Sequence, residues 1–266
     1  MKFATLLSVS MLATTSVFGA ATAESSNTFG VLRVDSKKAQ TIVCVPWVAT
    51  SATGGQAIKV ADIVKTANLT AGDKLYWYNP SGKSYSGWIL EENAVTKIKT
   101  WTAAQIAKEG ADVAAAAGAT DQTLARGNAI ILVRQNPKDE QDNAVPFFLQ
   151  GQYSAGAAES TFDAGVFSLA APGVASASGY DVNTATWKGV QANDKLLFRK
   201  ADGKNAELFW GGPENKWGVK TLTKADYLAG QREPTWKVCT ASERTIPSGC
   251  GAWYVNQGES SVSVQW

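Results

Sequence analysis

The 266-residue chain has no histidine, only three cysteines and almost no surplus charge: 25 Lys and Arg stand against 23 Asp and Glu. Without histidine the usual general base, the Ser-His-Asp triad, the Cys-His dyad and most zinc sites are excluded. Cys44, Cys239 and Cys250 form no C-x-x-C spacing, so they make no metal knuckle. Neither a metal nor a cofactor is expected. A dense basic block is also lacking, which argues against nucleic acid as a partner, because that binding needs cations gathered on one face. After the first two dozen residues no window approaches the roughly 18 consecutive apolar residues of a membrane helix.

The chain opens with MKFATLLSVSMLATTSVFGAATA. A basic start, a short apolar run and Ala21-Thr22-Ala23 make the three-part pattern of a secretory signal peptide. Cleavage after Ala23 is expected, with residues 24–266 secreted to the cell surface or beyond and no membrane span left. In an oxidising compartment a cysteine pair tends to be bridged. Three pairings are open; Cys239–Cys250, closing a short loop, is the preferred disulfide. Cys44 is then a small buried hydrophobe or a link between chains. Apolar content of 45% supports a packed core. Ten tryptophans are a surplus that needs a cause.

GDKLYWYNPSGK, beginning at Gly72, returns as NDKLLFRKADGK, beginning at Asn193, 121 residues later. Gly82-Lys83 falls on Gly203-Lys204, Trp88 on Phe209, and Lys99-Thr100 on Lys220-Thr221. DQTLARGNAIILVRQ from Asp121 then matches ERTIPSGCGAWYVNQ from Glu243 at an offset of 122, with Gly127 on Gly249 and Gln135 on Gln257. A fixed long period is the mark of duplication. The expected architecture is all-β: two tandem duplicated units of β-sandwich or barrel-like form, residues 24–150 and 151–266, each with a short helical insert.

Lys74–Tyr78 and Lys195–Arg199 read as strands entering Gly-containing turns, with Tyr85–Leu90 and Glu207–Trp210 as the returning partners. Lys97–Trp101 and Trp217–Leu222 make a third strand. Ala129–Arg134 with Phe147–Leu149, and Ala252–Asn256 with Val262–Gln265, read as closing hairpins. Thr102-Ala103-Ala104-Gln105 has the form of a capping box opening a helix towards Gly110. The counterpart in the second unit runs from Thr223 to Ala229, stopped by Gly230.

Candidate chemistry is sparse. Glu91 and Glu92, adjacent on a strand, point to opposite faces and do not pair directly. Asn136–Asn143 clusters oxygens that suit Ca²⁺, but without EF-hand spacing it reads as a solvated hairpin tip. Aromatics are the best signal: Trp77 and Phe198 fit a core, while Tyr76 and Tyr78, with Trp88 and Trp217, are candidate ligand or partner contacts that stack on sugar rings or anchor a protein. The final segment alternates Val262 and Val264 and ends on Trp266, a form suited to adding to the sheet of another copy.

The leader, the GDKLYWY strand with its downstream Trp, and the glycine-led RGNAIILVR and SGCGAWYVN strands together resemble an uncharacterised, paralogous family of secreted proteins of Verrucomicrobia and related bacteria. That resemblance implies a bacterial exported β protein and brings no catalytic residues. The expected function is a non-enzymatic surface protein, a coat, fibre or adhesion component, self-assembling through strand or subunit contacts. Its partners are further copies of itself, other surface components, or glycans. The alternatives are a pair of carbohydrate-binding modules and a histidine-free hydrolase using two carboxylates.

Overall fold

The computed structural model describes residues 29–46, 57–79, 84–104, 123–152, 157–165, 167–174 and 176–266. The leader, the Pro80-Ser81-Gly82 turn and the helix expected beyond Gln105 lie outside them. The chain is all-β, its pairings are antiparallel, and none of its sheets closes into a barrel among the described residues.

In the first half, β2 (Gln40–Cys44), β4 (Lys74–Asn79), β5 (Ser84–Glu92), β6 (Lys99–Ala104) and β8 (Ala129–Val133) form one sheet in the order β2-β8-β4-β5-β6. Two smaller ladders cover it: β1 (Phe29–Val34) with β9 (Phe147–Gln152), and β3 (Ala57–Lys59), which runs into the one-turn helix α1 (Val60–Ile63), with β7 (Thr123–Ala125). The second half repeats this order. Its large sheet runs β11 (Phe167–Ala170), β19 (Ala252–Val255), β14 (Lys195–Arg199), β15 (Asn205–Gly211), β16 (Lys216–Thr221), and adds β17 (Thr235–Lys237) at the edge. Its smaller ladders are β10 (Glu159–Phe162) with β20 (Val262–Gln265) and β13 (Thr186–Lys188), and β12 (Tyr180–Asp181) with β18 (Thr245–Ile246).

Strand alternation builds two cores. In the first, Leu75 lies opposite Trp88 and Leu132, and these pack with Val34, Phe147 and Leu149 from the β1–β9 ladder. In the second, Leu196, Leu208, Trp217 and Tyr254 face Val262, Val264 and Trp266. Four of the ten tryptophans pack here. Trp187 stands 5.1 Å from Trp217, 5.3 Å from Trp266 and 5.8 Å from Tyr254, and Trp210 is 5.3 Å from Trp217. Such offset and edge-on pairs add to the burial of large rings.

Several expectations change. The closing strands are not hairpin partners. β8 pairs with β2 and β4, while β9 leaves for β1; β19 and β20 separate in the same way. A sheet and its covering ladder both need apolar faces, so two consecutive apolar strands can serve different layers. The capping box at Thr102 is also lost: Thr102 sits in β6 opposite Ile89, and its hydroxyl donates to the Ile89 carbonyl. Its counterpart holds, because α2 (Lys224–Leu228) has Thr223 as N-cap in a reciprocal box with Asp226.

The alignment of Trp88 with Phe209 shifts as well. Lys74 lies opposite Ile89 and Lys195 opposite Phe209, so the ladder equates Phe209 with Ile89 and buried Trp88 with buried Leu208. Between the equivalent pairs Tyr78–Tyr85 and Arg199–Asn205, the turn of the second hairpin is one residue shorter than that of the first. A missing turn residue moves the return strand by one in the alignment, while the ladder partners, and with them the buried face, are kept.

Candidate functional site

The repeated phrase is structural. Gly72 and Asn193 both take a left-handed backbone, φ +94° and +78°, a conformation that Gly tolerates freely and Asn better than most residues. Each is followed by a buried aspartate. Asp73 Oδ2 accepts from the Thr70 amide at 2.9 Å and its Oδ1 from the Gln135 amide at 2.8 Å. Asp194 Oδ2 accepts from the Gln191 amide at 3.0 Å and its Oδ1 from the Gln257 amide at 2.8 Å. One carboxylate thus ties the turn before a central strand to the end of its neighbour. In the second half Tyr254 adds a buried hydroxyl, donating to Asp194 Oδ2 at 2.7 Å. Burial foremost, and then the Asp194 carboxylate beside it, push the phenol's pKa up, so it remains a donor.

Trp88 and Trp217 are 0% and 1% exposed, so neither has a face for a ligand; both are core residues. Tyr76 and Tyr78 are half-buried on the outer face of the first sheet. Tyr78 is occupied from within the chain: its ring lies 4.9 Å from Tyr85 and 5.7 Å from Trp253 of the second half. Trp77 packs against the first core and Phe198 lies in the second. Val262 and Val264 are buried, and their strand is central in a three-stranded ladder. Trp266 is anchored too, its amide donating to the Ala158 carbonyl at 2.9 Å and its Nε1 to Ser160 Oγ at 3.1 Å. This strand therefore completes its own sheet.

The expected disulfide is not formed; all three cysteines are free. Cys239 is buried in the second core with Sγ directed at the Trp217 carbonyl. Cys250 lies beside β2, where Val43 bridges to Cys250 and the Cys44 amide donates to the Gly249 carbonyl. The chain between Cys239 and Cys250 runs through α3 (Ala241–Arg244) and β18, which take the two thiols to different surroundings.

Carboxylates that looked available are engaged. Asp139 accepts from the amides of Gln141 and Asn143, and Asp142 pairs with Lys138 at 2.6 Å. Glu91 and Glu92 are exposed at the end of β5. Among the described residues no group of three or more Cys, Asp or Glu is placed to hold a metal ion.

An arrangement that the sequence reading missed occupies the outer face of the second sheet. By alternation this face carries Lys195, Leu197 and Arg199 of β14, Glu207 and Phe209 of β15, Lys216, Gly218 and Lys220 of β16, and Trp236 of β17. Trp236 lies over glycine. A Cβ added at Gly212 would come within 2.3 Å of the indole, and one at Gly218 within 2.5 Å. The Trp236 Nε1–H donates to the Phe209 carbonyl at 3.0 Å. Lys195 and Lys220 each hold an ammonium 4.9 Å from the Phe209 ring. GG at 211–212 followed by Gly218 and then an isolated Trp was the available signal, legible only once the β16–β17 pairing is known.

Comparison of the chain with family models, with curated proteins and with solved structures finds no match. Function is therefore read from geometry.

Proposed function

We propose that the chain is an exported bacterial surface protein with a structural or adhesive role, a rigid block of two similar β units that acts through its sheet faces. The observation that carries this reading is the reciprocal packing of the halves. Gly127, in the turn before β8, abuts Ser160 of β10, whose Oγ donates to the Gly127 carbonyl at 2.9 Å. Gly249, in the turn before β19, abuts Val34 and Leu32 of β1. Each half thus seats its turn glycine on the other's outer ladder. Reciprocal contacts of this kind are how two copies of one fold dock stably. With β20 central in its own ladder, assembly by donation of that strand has no donor, and faces are left as the means of attachment.

Export is tested by expressing the full chain in a bacterial host and reading the intact mass of the product outside the cytoplasm. The expected mass is that of a chain beginning at Glu24. A product that keeps residues 1–23 and stays in the cytoplasm would overturn the exported part of the proposal. Deletion of Ser260–Trp266 separates the two modes of assembly: it removes a central strand, so the melting temperature should fall sharply. A deletion variant that melts like the parent, but no longer scatters light as an oligomer, would restore strand donation.

A further inference from the structure

Trp236 is held as a platform. Gly211, Gly212 and Gly218 clear the backbone beneath the indole, with the closest approach a Cβ would make at Gly211 being 3.5 Å. Gly212 has φ +72°, a backbone that disfavours any side chain there. The ring's single N–H is bound to the Phe209 carbonyl, so its orientation is fixed. Trp236 is half-buried, as a ring covered on one face should be.

On the face that carries that ring, cations outnumber acids. Lys195, Arg199, Lys216 and Lys220 share it, with Glu207 pairing with Lys195 at 3.0 Å and Glu214 of the adjoining turn pairing with Lys216 at 2.8 Å. Lys220 lies directly opposite Trp236 in the ladder and is steered by Asn193, to whose Oδ1 it donates. The first half has no such arrangement at the matching positions: Ile89 and Thr102 stand where Phe209 and Gly218 do.

We propose that this face binds an acidic polysaccharide, a sugar ring stacking on Trp236 while its carboxylate or sulfate groups pair with Lys220 and Lys195. A pyranose offers a C–H face to the indole and an anion at the ring's edge, which matches one flat aromatic with ammonium groups beside it. Single-stranded nucleic acid, the competing polyanion, calls for successive aromatic platforms along a basic groove; here Phe209, the other ring on this face, is covered by the Lys195 and Lys220 ammonium groups, which leaves Trp236 as the platform. The proposal draws on the exported reading for the polymer's location; the binding itself is independent of it.

The test uses purified protein, residues 24–266, titrated with polygalacturonate, dextran sulfate, neutral dextran and oligo-dT while tryptophan fluorescence is followed. Binding to one or both acidic polysaccharides is expected, with at least tenfold weaker binding to neutral dextran and to oligo-dT. Polygalacturonate and dextran sulfate together distinguish carboxylate from sulfate recognition. The double variant Lys195→Gln/Lys220→Gln should lose about tenfold in affinity with an unchanged melting temperature, consistent with two exposed ion pairs. Trp236→Ala should abolish the fluorescence change. The proposal is overturned by absence of binding to both acidic polymers, by tighter binding of oligo-dT, or by a lysine double variant that binds as the parent does. Because no cell fractionation enters, failure here leaves the export reading standing, and cytoplasmic retention leaves this one standing.

Discussion

Asp73 and Asp194 show why a repeated phrase need not be a site. Each is almost fully buried, and each spends its oxygens on backbone amides from two separate segments. A buried carboxylate so bound is hard to replace, because the amides that it serves are left without an acceptor. Asp194→Asn should destabilise the protein by about 2–3 kcal/mol in denaturant titration, and Tyr254→Phe by about 1 kcal/mol; an Asp194→Asn variant with the parent's midpoint would contradict the assignment. The thiols make a second residue-scale case. Burial pushes Cys250 up to about 12, and it raises Cys44 and Cys239 as well. A thiolate-selective reagent at pH 8 should therefore leave the native protein unmodified and label three cysteines once it is unfolded. Rapid labelling of the folded protein would show a thiol far more accessible than this.

Among the elements, strands that carry both signals, β propensity and a flanking Gly turn, were legible from sequence: β4, β14 and β15 fall close to where pattern reading puts them. Pairing was less so. Local sequence near β8 and β9 looks like a hairpin, and only the need to cover a sheet sends β9 to β1, more than a hundred residues away in the chain. Thr102 and Thr223 show the same limit for helices. Both begin a T-x-x pattern, yet Thr102 is held by a strand partner, Ile89, while the Thr223 hydroxyl accepts from the Asp226 amide and the Thr223 amide donates to the Asp226 carboxylate. The platform at Trp236 escaped reading because its parts come from three strands. Within α2, Lys237 above all, and then the Thr223 amide, lower Asp226 to about 2. A lowered acid stabilises its folded form above the usual carboxylate range and loses that contribution as pH falls through about 2. Carboxyl carbon resonances should show Asp226 titrating near 2; a midpoint near 4 would mean that the cap and ion pair do not persist in solution.

For the whole molecule, the central matter is whether the two units behave as one body. Gly127 and Gly249, equivalent in sequence, sit at equivalent places in the interface, each with positive φ and each pressed on the other half's outer ladder. Tyr78 against Trp253, and the bridge between Val43 and Cys250, add further contacts between the two halves. Gly249→Val should destabilise the protein by about 2–4 kcal/mol, from the left-handed backbone and from a Cβ placed 2.3 Å from Val34. Since Val34 belongs to the first core and Gly249 to the second half, the loss is felt by both. Differential scanning calorimetry of residues 24–266 and of the Gly249→Val variant tests this most directly. One cooperative transition that moves down as a whole in the variant is the predicted result; two separate transitions, with only the second displaced by the substitution, would contradict a single rigid block.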